Sequence, residues 1–342
     1  MIKLLMTGGG APGAAGIIRC LKKSPDLDLL ICDANPEAVG RYLHDKFETI
    51  PAANDPLFIP TLLDLCTREG IQIIMPLVTR ELFLFAKHKN EFNEKGIKVL
   101  VSNKSALDIA NNKSEFYNFL SERGLPLPEY RVVSEIKEFE DALYSLGYPN
   151  KKVCFKPSVS NGSRGFRIID SSIDRFDLLF NHKPDSTYIS FDEAIDILKS
   201  RPFPELLVSE FLPGEEYSVD CLAMNGEAKM ILPRLRKKML GGISVQGEFI
   251  QNEEIINYSR EIIRHLELNG NIGIQFKKSD KGKFLPLEIN PRVQGTIVAG
   301  LGAGINLPLL AVKQELGLAI SDEELDIKWG VKFSRYWEEV YY

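Results

Sequence analysis

Residues 1–105 alternate apolar strand patterns with helix patterns, and that rhythm leaves few folds open. IKLLMT (2–7), DLLICDA (28–34), IQIIMPL (71–77) and KVLVS (98–102) read as strands; residues 13–23, 57–69 and 81–92 read as helices. Strands this uniformly apolar need cover on both faces. Strand–helix–strand units of this length return in parallel. The expectation is an open parallel sheet with helices on both sides.

The rhythm then changes. KSEFYNFLSERG (113–124) reads as a helix that stops at Gly124 and Pro126. Residues 130–209 mix strands (RVV, VCFKP, GFRIID, LLVSEF) with helices near 135–146 and 191–200, and polar residues 171–190 read as a loop or flap. From 210 the chain is strand-rich, with helices at 252–268 and 309–317. At 342 residues the chain is too long for one small core. Two or three units are expected, and the changes of pattern divide the chain into 1–105, of α/β character, 106–209 and 210–342.

A net charge of −5 gives no electrostatic footprint for nucleic acid or an anionic membrane. No apolar run approaches the ~20 residues of a membrane span. The start, MIKLLMTGGG, reads as a first strand and not as a secretory signal. Five cysteines (Cys20, Cys32, Cys66, Cys154, Cys221) show no CxxC spacing and sit near no histidine. They read as free thiols in a reducing, cytoplasmic setting, with no zinc site.

Several segments can carry chemistry. GIQFKKSDKGKFLPLEIN (273–290) reads as a hairpin turning at SDKG, 279–282. One face collects Ile272, Ile274, Phe276, Leu285, Leu287 and Ile289; the other carries Gln275, Glu288 and Asn290. Carboxylate and amide oxygens side by side suit a hard cation such as Mg²⁺. Arg292, just past Pro291, adds a positive charge. The same pattern fits an amphipathic hairpin with a solvated polar face. In CFKPSVSNGSRGF (154–166) a strand delivers Lys156 into a loop of small residues, Ser158, Ser160, Asn161, Gly162, Ser163 and Gly165, with Arg164. Small residues let backbone N–H groups approach phosphate oxygens; a plain Gly/Ser turn is the alternative. VSEFLPGEEYSVD (208–220) is an acidic strand–turn–strand. Gly8, Gly10 and Gly13 fit GxGxxG between a strand and a helix, with Asp33 at the end of the next strand. That satisfies the dinucleotide fingerprint and keeps an NAD(P)-dependent oxidoreductase open.

In this order the segments resemble the ATP-grasp superfamily, and most closely the module of carbamoyl-phosphate synthase large chains and single-module relatives. The resemblance implies an N-terminal pre-ATP-grasp domain followed by a two-lobed ATP-grasp domain. It implies that Lys113 and Lys156 contact ATP phosphates beneath a lid at 158–165 that includes Ser160, Asn161, Gly162 and Ser163. Glu210 and the backbone near Leu212 would hold adenine, and Glu216 the ribose. Gln275, Glu288 and Asn290 would bind Mg²⁺ or Mn²⁺, and Arg292 would stabilise the transferring phosphoryl group. The Gly-rich turn would then line an acceptor site and bind no dinucleotide.

The implied activity is an ATP-dependent ligase that joins a carboxylate to an amine or similar nucleophile. Its partners would be small molecules, with no nucleic acid or membrane and with a homodimer admitted. A non-catalytic nucleotide-binding protein on the same fold is the further alternative. Two departures stand out: one module is present, and Gln275 stands where many relatives have Asp or Glu. Arg234 or Arg236 of PRLRKK (233–238) is a candidate clamp for a substrate carboxylate.

Overall fold

The computed structural model describes residues 1–342 apart from 161, 184 and 185. By contacts the chain clusters into two units, both discontinuous. Met1–Asp108, Glu216–Phe276 and Ile289–Tyr342 form the first; Ile109–Glu215 and Lys277–Glu288 form the second.

The first unit opens with five strands: β1 (Ile2–Thr7), β2 (Leu27–Asp33), β3 (Phe47–Thr49), β4 (Ile73–Pro76) and β5 (Lys98–Val99). They pair in the order β3-β2-β1-β4-β5, all in parallel. The apolar run of β1 is explained by cover on both faces. Leu4 and Met6 pack into one core with Ile17, Ile18, Ile297 and Leu307. Leu5, on the opposite face, packs with Phe58, Leu62 and Phe85. The expected helix at 81–92 breaks at His88 into Thr79–Lys87 and Lys89–Glu94, and a helix the pattern did not show runs Lys104–Asn111.

The second unit holds β6 (Tyr130–Val133), β7 (Val153–Pro157), β8 (Arg167–Ile169), β9 (Tyr188–Ile189) and β10 (Leu206–Glu210), in the order β6-β10-β7-β8-β9. Helix Ile136–Ser145 is fixed at its start by a Glu135/Glu138 capping box. It buries Phe139, Ala142 and Leu143 at helical spacing against Val153, Phe155 and Val208. Each large apolar side chain so buried contributes ~1.5–3 kcal/mol. The expected loop at 171–190 instead contains helix Arg175–Asn181, started by Asp174, whose side chain accepts from Phe176 N and Asp177 N. It also contains β9.

The last sheet is β11 (Glu216–Met224), β12 (Glu227–Leu240), β13 (Ile243–Phe249), β14 (Gly270–Lys278), β15 (Phe284–Asn290) and β16 (Lys332–Ser334), in the order β15-β14-β11-β12-β13-β16. The β14–β15 turn falls at 279–282 as expected, with Gly282 at φ +82° and its N–H on the Ser279 carbonyl at 3.1 Å. Ile272, Ile274, Phe276, Leu285 and Ile289 are buried; Gln275, Leu287, Glu288 and Asn290 are half-buried. The fold is thus an α/β parallel sheet joined to α+β lobes.

Among the described residues no helix is long and apolar enough to cross a membrane, and no three His, Cys, Asp or Glu side chains cluster as a metal site. The five cysteines are free; burial pushes the Cys20 and Cys66 thiols up to about 12.

Candidate active site

The second unit brings two lysines and a carboxylate to one small-residue loop. Helix Lys113–Glu122 begins at Asn112, whose Oδ1 accepts from Ser114 N at 3.0 Å and Glu115 N at 3.3 Å. That cap fixes Lys113 as the first helical residue. Its backbone N–H donates to the Ser158 carbonyl at 2.8 Å. Its Nζ donates to the Ser160 carbonyl at 2.8 Å and lies 3.8 Å from Glu288 Oε2, a loose ion pair. The Lys113 side chain is 8% exposed. Burial pushes its ammonium down to about 8, opposed by Glu288 and reinforced by Lys156.

Lys156 on β7 donates to the Leu287 carbonyl at 3.0 Å, and its Nζ lies 6.0 Å from the Tyr117 ring centroid. The Tyr117 hydroxyl donates to the Pro286 carbonyl at 3.0 Å. The loop leaving β7 exposes Gly162, Ser163 and Arg164. Gly162, Ser163 and Gly165 have φ of +65°, +58° and +79°. A left-handed serine between two left-handed glycines is uncommon backbone. Asn161 lies outside the described residues.

At the end of β10, Glu210 and Glu129 exchange two hydrogen bonds, one backbone and one through the Glu210 side chain. Glu210 N donates to the Glu129 carbonyl at 2.9 Å, and Glu129 N donates to Glu210 Oε1 at 2.9 Å. Leu212 is buried just beyond, and Gly214 N donates to the Lys278 carbonyl at 2.9 Å. A side chain at Gly214 would come 2.7 Å from that carbonyl oxygen.

The first unit carries the remaining candidates. Glu216 and Gln275 meet through Arg236, whose Nη1 donates to the Glu216 carboxylate and, at 3.4 Å, to Gln275 Oε1. Arg292 Nε donates to Thr79 Oγ1 at 3.0 Å, and its Nη1 to the Val293 carbonyl at 2.9 Å. Asn290 and Glu288 lie two apart on β15, although Glu288 is counted with the second unit and Asn290 with the first. The chemistry of this pair, one carboxylate and one amide oxygen two apart on a single strand, fits a hard divalent ion.

Two family models match the chain. Residues 202–334 match "ATP-grasp in the biosynthetic pathway with Ter operon" and residues 4–100 match "PylC-like, N-terminal domain". The carbamoyl phosphate synthase large chain of Pseudothermotoga lettingae is 25% identical over 308 residues, 84% of this chain and 27% of that one. Residues 202–334 carry the ATP-grasp match, and the chain is similar to ATP-grasp proteins. It spans about a quarter of the length of such curated relatives, 27% in that case. Solved ATP-grasp structures agree on the fold. A biotin carboxylase–β,γ-ATP complex from Campylobacter jejuni has a TM-score of 0.70 at 15% identity, covering 96% of this chain and 74% of that one. An L-amino acid ligase from Bacillus licheniformis has a TM-score of 0.68 at 15% identity, covering 96% and 78%.

Against this ATP-grasp frame two features take on a different reading from the one the sequence suggested. A Cβ on Gly13 would come 2.3 Å from Gly295 Cα, and one on Gly16 2.7 Å from a Val298 methyl. These glycines permit close packing of helix Ala14–Leu21 on residues 295–298. Asp33, the expected ribose partner of a dinucleotide, accepts instead from Gly10 N at 2.7 Å and Asn35 N at 2.8 Å. Arg234, a candidate substrate clamp, is fully buried and pairs with Asp220 at 3.3 Å. Its partner lies on the neighbouring strand, and so was not visible in the run PRLRKK. Thr79 was missed as well: nothing in VTREL marks a hydroxyl that meets an arginine 213 residues away.

Proposed function

We propose that the chain is an ATP- and Mg²⁺-dependent ligase that activates a carboxylate as an acyl phosphate for attack by an amine or similar nucleophile. The observation that carries this reading is the grouping of Lys113, Lys156 and Glu288 around the loop at 158–165. Two partly desolvated ammonium groups beside a loop of small residues are what a polyphosphate needs, and a fixed carboxylate beside them suits its metal.

In this reading Lys113 and Lys156 hold phosphate oxygens, and the loop at 158–165 closes over them and excludes water. Glu210 and the backbone near Leu212 hold the adenine; Glu216 takes ribose hydroxyls. Glu288 and Asn290 would hold Mg²⁺, which when bound neutralises charge on the phosphates. A carboxylate oxygen of the acceptor attacks the γ-phosphorus and ADP leaves. Arg292 stabilises the charge on the transferring phosphoryl group, its fork oriented by Thr79. The nucleophile then attacks the carbonyl carbon of the acyl phosphate, and inorganic phosphate leaves with the C–O bond pair.

The similar proteins include a synthase, a carboxylase and an amino acid ligase, which all suit activation of a carboxylate or bicarbonate. Phosphate release with ATP, Mg²⁺ and a panel of amino and hydroxy acids tests the proposal, with hydroxylamine added to trap the acyl phosphate as a hydroxamate. An acid that stimulates phosphate release and yields hydroxamate is the expected result. Release that no carboxylate or bicarbonate stimulates would overturn it.

A further inference from the structure

Arg236 is held at four points. Its Nη1 donates to the Glu216 carboxylate and to Gln275 Oε1 at 3.4 Å, its Nε to Ser244 Oγ at 3.1 Å, and its Nη2 to the Gly242 carbonyl. Its side chain is 5% exposed and that of Glu216 16%. The β11–β12 register, with Tyr217 opposite Leu235, continues to place Glu216 opposite Arg236. A planar fork fixed this way is a permanent local charge, unlike a mobile surface arginine.

We propose that Arg236 takes the electrostatic place of a divalent ion beside Gln275, so that the chain binds one metal ion with its nucleotide and Gln275 is not a metal ligand. This rests on reading the chain as a nucleotide-binding ligase. Three observations carry it. The Gln275 amide oxygen already accepts from a cation. Being neutral, Gln275 brings no charge to offset a second cation, and ligand charge governs affinity for hard metals. The nearest carboxylate on these strands, Glu216, is neutralised by the same guanidinium. A metal ion at Gln275 would face a fixed positive charge bonded to its own ligand, and Glu216, already paired with that charge, would not offset it. Glu288 and Asn290, on another strand, remain for the single ion.

The test is a count of bound Mn²⁺ by electron paramagnetic resonance, at saturating non-hydrolysable ATP analogue. The wild-type chain should bind one Mn²⁺ per nucleotide. Gln275→Glu should still bind one, because Arg236 pairs with the new carboxylate. The double variant Gln275→Glu/Arg236→Gln should bind two. Two Mn²⁺ per nucleotide in the wild type would overturn the proposal, and that count stands even where the double variant does not fold. A folded double variant that binds nucleotide with one Mn²⁺ would overturn the role given to Arg236. A wild-type chain that binds neither nucleotide nor Mn²⁺ would overturn the ligase reading and this proposal with it, an outcome distinct from the other two.

Discussion

Nucleotide binding should draw a proton onto Lys113. Burial pushes that ammonium down to about 8 from the ordinary 10.5. At pH 8 the group is then about half deprotonated. Phosphate oxygens at ion-pair distance favour the charged form and move the pKa back up. Binding ATP at pH 8 should therefore take up ~0.5 proton per chain, falling below ~0.05 at pH 6.5, where the ammonium is already charged. The sign follows from the order of the values: the free folded chain holds fewer protons at Lys113 than the bound chain does. ATP affinity should accordingly weaken as pH rises above 8, approaching ~tenfold per unit. The unfolded chain also holds more protons there, so between 8 and 10.5 Lys113 makes stability rise with pH. Calorimetry at one pH, in buffers of different ionisation enthalpy, yields the proton count. Lys113→Arg, charged throughout, subtracts the titration of the nucleotide itself. Equal proton counts for the two proteins at pH 8, with ATP bound by both, would refute the coupling between Lys113 and phosphate.

Glu288→Gln should abolish Mg²⁺-dependent turnover and leave the thermal midpoint nearly unchanged; near wild-type turnover at saturating Mg²⁺ would remove Glu288 from the metal site. Arg292→Lys should cost ~2–4 kcal/mol in turnover with little loss of ATP affinity, because a compact ammonium cannot span two phosphoryl oxygens. Thr79→Val should lower turnover roughly tenfold or more at constant KM for ATP, since the guanidinium loses its Nε acceptor, and Thr79→Ser should restore it; a shift in KM alone would show that Thr79 acts on binding. Gly13→Ala should destabilise the fold by ~1–3 kcal/mol in urea titration, because the added methyl meets the backbone at Gly295. An unchanged midpoint would show that residues 295–300 yield.

The sequence exposes what local pattern determines. The apolar run of β1, the turn at 279–282 and the helix that starts at Lys113 each rest on local pattern, and each is legible there. Helix Arg175–Asn181 was not, because Phe176, Leu179 and Phe180 are exposed and its apolar residues face no core. Strand β3 is three residues long and presents no alternation to read. The partners of site residues are the harder loss. Arg236 meets Glu216 and Gln275 across strands 20 and 39 residues apart in sequence. The N-terminal glycines match a dinucleotide fingerprint because close approach demands glycine, whether the neighbour is a pyrophosphate or, as here, Val78 at Gly8, Ala38 at Gly10 and Gly295 at Gly13.

One face of the first sheet is covered only by residues made much later in synthesis. Leu4, Met6 and Ile17 share a core with Ile297, Leu307 and Leu310, and Asn306 Nδ2 donates to the Cys20 carbonyl at 2.8 Å. The other face of the same sheet is covered early, by Phe58, Leu62 and Phe85. At ~5–20 residues per second, roughly 200 residues of synthesis separate the two events, so one apolar face waits ~10–40 s for its cover. The nascent chain is expected to be a chaperone client for that interval. A fragment ending at residue 108 should accordingly bind a hydrophobic dye and aggregate, and a soluble, dye-silent fragment would show that the early face suffices.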